Sequence, residues 1–408
     1  MYKHKRAILY VLMILFGVVS GMSDSLLLQN MGALVSDIFI RIFKCISLPI
    51  IALSLIVTLS CYSAEQGTQK IWQRTIVFTL ATTAIAAAIS CLLYLLIAPE
   101  NVGATTVIAT PENNSLTYWQ HLAGLIPENI FSPFLEHQVM GVLLVGIILG
   151  IAIRYIPDQE ARKTITQFFK GAHGVFLVIT KWVVAVIPIG LYGFITTTVI
   201  QFRNGMDVKG IGAYLAVIVL ANLVQGFVVL PLWLKSNGIR PFVNMKKMLP
   251  ALSLAFFSKS SAGTLPVTIA TAEKNLNMDS RVSRLVLPLC TSLNMNGCAA
   301  FIFVTVIFLM QNHGIAITPA TLVLWIGVAT ITAIGNAGVP MGCFFLSASL
   351  LASMNVPITL LGIILPFYSV IDMVETALNV WSDACVASVV DEKIKQNELE
   401  ADGLVSAP

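Results

Sequence analysis

Several stretches of this chain carry almost no charge: Ile8–Val19, Ile76–Ile97, Val139–Ile153, Ala213–Leu234 and Ala299–Leu309. A helix needs roughly 20 apolar residues to cross about 30 Å of hydrocarbon, and several of these runs reach or approach that length. Composition agrees. Of the 408 residues, 57% are hydrophobic and 11% charged, about half the charge of an ordinary soluble domain. The chain therefore reads as an all-α polytopic membrane protein and not as two or three soluble domains. The net charge of +4 says little about partners, because it is concentrated between the apolar runs. Ile8–Val19 follows the basic Tyr2-Lys3-His4-Lys5-Arg6, but no small-x-small cleavage pattern follows it, so it reads as a retained first span. The 7 cysteines lie in or beside apolar segments and show neither a disulfide framework nor zinc spacing.

The pattern predicts eight long spans, near 7–22, 33–60, 74–98, 119–156, 165–201, 209–235, 281–311 and 357–390. It also predicts two shorter broken hairpins, near 246–274 and 320–352. The placement of Lys and Arg tests this topology. Of the 24 such residues, seventeen fall in the segments assigned inside and two, Arg203 and Lys209, in those assigned outside. Both termini are thus expected in the cytoplasm. The short loops point to a bacterial inner membrane. The loop 99–117 is polar and holds a weak glycosylation match at Asn113-Asn114-Ser115; residues 391–408 read as a charged, frayed tail.

Four segments interrupt the apolar pattern. Irregular backbone at membrane depth is tolerated only where protein or water satisfies it. Ser258-Lys259-Ser260-Ser261-Ala262-Gly263-Thr264-Leu265-Pro266 reads as a re-entrant tip whose free N–H groups and hydroxyls suit a carboxylate; the plainer reading is an extramembrane loop. Gly335 through Gly342 holds three glycines and Pro340, which forbid a continuous helix; the alternative is a tight extramembrane turn. Two Gly/Pro-broken segments of this kind point to a transporter site between inverted repeats. In Ser292-Leu293-Asn294-Met295-Asn296-Gly297-Cys298, two asparagines and a glycine suggest unwinding that frees oxygens for Na⁺. Helix–helix hydrogen bonding would explain the asparagines equally well. Finally, at 100° per residue, Tyr368, Asp372, Glu375, Thr376, Asn379 and Asp383 share an arc of about 100° on the last span. Intramembrane carboxylates are costly and mark substrate or ion paths.

In this order, Lys259–Pro266, Asn294–Gly297, Gly338–Pro340 and Asp372–Asp383 resemble the dicarboxylate/amino acid:cation symporter family, with likeness over nearly the whole chain. The resemblance implies a homotrimer of elevator type. A scaffold of 1–60 and 119–201 would hold a transport domain of 74–98 and 209–390, which slides while the second hairpin gates. It implies a substrate site of Ser260, Ser261, the backbone at Val339, Gly342, Asp372, Glu375, Thr376, Asn379 and Cys298, with Asp372 on the α-ammonium and Ser261 and Val339 on the α-carboxylate. It implies Na⁺ ligands among Asn294, Asn379, Asp383, Ser292, Asn296 and Thr82.

This sequence departs from the family pattern at informative places. Where the dicarboxylate transporters grip the substrate side chain with an Arg, it has Glu375, which would repel an acid. The run Glu375-Thr376-Ala377-Leu378-Asn379 resembles the bacterial serine/threonine–sodium symporter instead, and Cys298 stands where acidic-substrate transporters have Thr. Asn296 replaces an Asp that helps hold a third Na⁺, and Thr79 stands where Tyr is frequent, so fewer coupled Na⁺ are expected. Glu375 either carries a proton, as burial favours, or pairs with Lys259. The expectation is a Na⁺-coupled importer of a small neutral amino acid, serine or threonine favoured; Na⁺- or H⁺-coupled uptake of glutamate, aspartate or a C4-dicarboxylate is the runner-up. No zinc-protease, nucleophile-elbow or P-loop motif supports an enzyme or an ATP-driven pump. Nothing calls for an organic cofactor or nucleic acid; the expected partners are substrate, lipid and other copies of the chain.

Overall fold

The computed structural model describes residues 2–60, 69–102, 127–136, 138–203, 209–336, 338, 340–354, 356 and 359–401. The fold is helical throughout these residues. The helices are α1 (Tyr2–Met22), α2 (Leu26–Ser60), α3 (Gln69–Ile97), the single turn α4 (Ser132–Leu135), α5 (Val139–Arg154), α6 (Gln159–Arg203) and α7 (Lys209–Val224). They continue as α8 (Leu230–Ser236), α9 (Pro241–Ser258), α10 (Ser261–Leu276), α11 (Ser280–Leu293), α12 (Asn296–Asn312), α13 (Pro319–Ala333), α14 (Gly342–Ser353) and α15 (Thr359–Ala401).

Among the described residues, five segments are long and apolar enough to cross a bilayer: Ile71–Ile97, Gly210–Ser236, Ser280–Asn312, Pro319–Asn336 and Leu360–Gln396. A sixth, in α6, bends by 52° between Val183 and Ala185. Pro188 explains the bend, since a proline ring collides with the carbonyl four residues back and removes a helical hydrogen bond. Shorter apolar helices such as Leu48–Ser60 and Gly141–Arg154 pack beside these.

The all-α membrane character agrees with the sequence pattern, but five described segments, or six with the bent α6, have the length and apolarity of a span where eight were expected, and two elements differ in extent. The expected span 119–156 is not one helix: among the described residues of 127–138 only the turn α4 is helical, and the helix proper begins at Val139. Asn129 and Pro133 account for this. Asn129 Oδ1 accepts from the N–H groups of Phe131 and Ser132, the local side-chain bonding that competes with helix. The last helix, in turn, does not fray at Asp391. It runs to Ala401, and the buried Asp391 accepts from the Asp279 N–H at 3.0 Å. Residues 103–126, including Asn113-Asn114-Ser115, lie outside the described residues.

Two groupings emerge from the contacts. Helices α1, α2, α5 and α6 pack together, while α12 sits at the centre of α3, α7, α13, α14 and α15. The apolar window of Ser280–Asn312 is wholly buried. A helix apolar on all faces belongs in a core, and from Ala299 to Leu309 every residue is buried. A second apolar cluster joins α8, α9, α11 and the end of α15 around Leu230, Met248, Leu287 and Trp381.

Candidate functional site

Two hairpin tips and a helix break converge on α15. At the first tip α9 ends because Lys259 adopts a left-handed conformation (φ 56°), and Ser260 then caps α10, its hydroxyl accepting from the Gly263 N–H at 3.0 Å. At the second, α13 tightens into a 3-10 turn over Ile334–Asn336 and the chain turns through Gly338 (φ 63°) and Met341 (φ 66°). Gly338 is required twice over. Its conformation disfavours a side chain, and a methyl there would lie 2.9 Å from Ser261 Oγ. The tips touch: Gly338 O accepts from Ser260 Oγ at 3.0 Å and from Ala262 N at 3.3 Å. Gly342 has a steric role, since a methyl would overlap Asn336 Oδ1 at 1.5 Å.

The third element is the break between α11 and α12. Asn294 and Met295 leave helical geometry (ψ 71° and 63°), so the chain restarts at Asn296 with free backbone groups. Asn379 of α15 accepts from the Gly297 N–H at 2.8 Å, which locks the restart onto α15. The close approach needs a glycine: a methyl at 297 would sit 2.8 Å from Glu375 Cα.

The polar face of α15 is buried. Asp372, Glu375, Thr376, Asn379 and Asp383 are each at most 5% exposed, whereas Val370 on the opposite side is 62% exposed. Asp372 Oδ2 accepts from the Met341 N–H at 3.2 Å, joining α15 to the second tip. Thr376 spends its hydroxyl on the Asp372 carbonyl. Glu375 Oε2 accepts from the Tyr368 hydroxyl at 3.2 Å, and Oε1 has no partner. Lys259 does not pair with Glu375; its ammonium donates to Ser369 Oγ instead. Lys259 thus sits on the first tip and meets α15 at Ser369.

One turn further along lies a second cluster. Asn294 Nδ2 donates to Ser382 Oγ (2.8 Å) and Asp383 Oδ1 (3.0 Å), while Thr82 Oγ1 donates to Asn294 Oδ1 (2.8 Å). Asn296 Nδ2 donates to Asn294 Oδ1 (3.1 Å) and to Ser382 Oγ. Gln225 Nε2 reaches Thr82 O and Asn296 Oδ1, each at 3.2 Å. Amide, hydroxyl and carbonyl oxygens thus cluster around one buried carboxylate, an oxygen-rich donor set of the kind suited to a small monovalent cation.

The structure thus brings together Ser260, Ser261, Asp372, Glu375, Thr376, Asn379 and the buried Cys298 and Gly342 around the tips, and Thr82, Asn294, Asn296 and Asp383 beyond them. Ser292 is half-buried and takes no part in these hydrogen bonds; Val339 lies outside the described residues. Sequence reasoning missed Asn222, Gln225 and Ser382. Asn222 and Gln225 were the findable pair, two amides three residues apart in an otherwise apolar span. Asn222 Oδ1 would be 3.0 Å from a methyl at Gly297, and neither that atom nor Gln225 Oε1 has a partner. Gln225 opens a π turn, Gln225–Val229, a distortion frequent at functional positions.

Comparison with known proteins gives the same picture. A putative sodium-dependent excitatory amino acid transporter, glt-4, of Caenorhabditis elegans is 29% identical over 68% of this chain and 55% of its own length. Neutral amino acid transporter A of Bos taurus is 27% identical over 62% of this chain and 48% of its own. In these matches the chain spans about half the length of the relative. Neutral amino acid transporter B(0) of Oryctolagus cuniculus is 24% identical over 96% of this chain and 82% of its own. Residues 7–393 match the sodium:dicarboxylate symporter family, so the match contains both hairpins, the α11–α12 break and the polar face of α15: the chain belongs to that family.

Proposed function

We propose that this chain is a Na⁺-coupled importer of a small neutral amino acid, serine or threonine in the first place. The observation that carries this reading is Glu375: buried, one turn from Asp372, with Oε1 unpartnered. An unsatisfied buried oxygen calls for a donor. A substrate hydroxyl supplies one; a substrate carboxylate brings a second negative charge to the same place and is repelled. Asp372 takes the α-ammonium, Ser261 and the tip backbone about Val339 the α-carboxylate, and Thr376 and Asn379 complete the frame, with Cys298 beneath the side chain. Na⁺ binds among Thr82, Asn294, Asn296, Asn379 and Asp383, with a further ion near Ser292 and the second tip.

The transport cycle is of elevator type. The unit containing 74–98 and 209–390 slides against a scaffold of 1–60 and 119–201 in a homotrimer, with the second hairpin as gate, both termini in the cytoplasm and the protein in a cell membrane. The relatives include both neutral and excitatory amino acid transporters, which keeps an acidic substrate as the second reading. A proton on Glu375 would remove its repulsion, coupling H⁺ to such uptake.

The test is uptake into proteoliposomes under an inward Na⁺ gradient, with unlabelled competitors. Serine and threonine should displace labelled serine and aspartate should not. If aspartate displaces the transported label and serine fails to, the reading of Glu375 is wrong. Uptake of serine that ignores both Na⁺ and pH gradients would remove the coupling proposal.

A further inference from the structure

A cavity of about 190 Å³ lies far from the hairpin tips, between the start of α9, the α10–α11 connection and the end of α15. Three features of its wall point to one ligand chemistry. First, Arg240 and Lys247 line it, both exposed and neither in an ion pair among the described residues. Second, α9 begins there with Pro241 and no side chain caps it, so its N-terminal N–H groups and helix dipole face an unfilled role. Third, Asn244, only 7% exposed, gives its Nδ2 to Ser388 Oγ at 3.0 Å and leaves Oδ1 without a partner. The two amide atoms can be exchanged without losing the serine bond, because the Ser388 hydroxyl can donate as well as accept. Exchange frees an N–H for an anion.

The charge balance is selective. Arg240, Lys247 and Lys395 face Asp391 and Glu392 in this wall, three positive groups against two negative. Asp391 is held by Lys395 at 2.6 Å and by the Asp279 N–H. One positive charge is left over, which a singly charged phosphodiester would balance. The first turn of α9 also displays Phe242 and Val243, 61% and 50% exposed, beside the cavity. Apolar side chains next to a cationic pocket suit a molecule with a phosphate head and acyl chains.

We propose that this cavity binds the phosphate group of a membrane phospholipid, with Arg240, Lys247, Asn244 and the α9 N-terminus as its ligands. Titration of the purified protein with short-chain phosphatidylglycerol, read by native mass spectrometry, tests this. R240Q/K247Q should weaken binding about tenfold or more. K235Q/K246Q, the same charge change on exposed lysines outside the cavity, should not. Glycerol 3-phosphate distinguishes the sources: failure to displace the lipid assigns the site to phospholipid, whereas displacement assigns it to phosphate esters generally and overturns the lipid assignment. Equal binding by wild type and R240Q/K247Q, or equal loss in both double variants, overturns the site itself. A folding defect in the variants is met in the unmodified protein, where bound phosphatidylglycerol should shield Lys247 but not Lys246 from an amine-acetylating reagent. Equal shielding of the two lysines also overturns the proposal.

Discussion

Replacing Gly297 by alanine tests how the break between α11 and α12 is mounted on α15. The added methyl would lie 2.8 Å from Glu375 Cα, 3.0 Å from Glu375 Cβ and 3.0 Å from Asn222 Oδ1. The first of these is backbone inside a long helix, so it cannot swing away. Relief requires α12 to withdraw from α15, and that stretches the 2.8 Å bond from the Gly297 N–H to Asn379. Overpacking of this kind costs about 1–3 kcal/mol, and the buried hydrogen bond contributes about 1 kcal/mol more. These contacts belong to the fold itself, so the cost is shared between stability and binding, and its full transfer to the bound state sets the upper limit. At that limit a loss of about 2–4 kcal/mol corresponds to roughly thirtyfold to several hundredfold weaker Na⁺-dependent serine binding. Gly327 on α13 is the control: nothing lies within 4 Å of a methyl there, and Gly→Ala in a helix is neutral to stabilising by up to about 1 kcal/mol. Binding isotherms for the two variants at saturating Na⁺, with melting curves for each, give the comparison. Wild-type affinity and an unchanged melting curve in Gly297→Ala would refute the close approach of α12 and α15, and an equal loss in Gly327→Ala would refute its specificity.

Ser260→Ala removes both a helix cap and the contact to Gly338 between the tips; the cap alone should lower stability by about 1 kcal/mol, read as a reduced melting temperature with the second hairpin more readily cleaved by protease. Asn296→Asp cannot donate to Asn294 and Ser382 as the amide does, so its oxygens need a cation, and the Na⁺ dependence of uptake should become steeper; an unchanged curve counts against fewer coupled ions in the native chain. Glu375→Gln should retain serine uptake within about tenfold, since the amide still accepts a hydroxyl, while abolishing any dependence on a pH gradient; persistence of that dependence would move proton coupling elsewhere. At the charged end of α10, the Arg284 guanidinium and the Ser283 hydroxyl hold Glu273 below its ordinary range. Its contribution is therefore present above the unfolded value near 4.5 and lost as pH falls through the lower folded one. Being exposed, the pair is weak, so Glu273→Gln should flatten the acid limb of a melting-temperature profile only slightly.

Much of the site was legible because membranes punish polar sequence. Asp372, Glu375 and Asp383 have no business in an apolar helix unless something receives them, and one angular calculation placed them on a common face. Glycine and proline marked both tips, since neither Gly338 nor Pro340 fits a continuous helix. What the sequence could not show was pairing across distance. Gln225 stands out as an amide in an apolar span and Thr82 is expected from the family resemblance, yet neither fact shows that they meet Asn296 and Asn294 from separate helices. Ser382 fell at the edge of the α15 arc, and only its two amide donors identify it as part of the cluster. The apolar run before Val139 misled for a local reason: hydropathy does not register that Asn129 turns the chain.

If the proposed function holds, coupling between substrate and cation would run along α15. Asp372 and Glu375 belong to the tip cluster, Asp383 to the amide cluster, and Asn379 lies between them on the same face, fastened to Gly297. The α11–α12 break is the complement. Asn294 on its one side holds Asp383, and Gly297 on its other side holds Asn379. A cation that draws the oxygens of Asn294 and Asp383 together must reposition the break, and with it the Gly297 N–H and the Asn379 amide facing the tips. Linkage requires the effect to be mutual: substrate that prefers that arrangement must raise cation affinity by the same factor. On the proposed function, the coupling would reside in a short irregular stretch whose backbone has no other helix to belong to, at the break in the chain's most buried span.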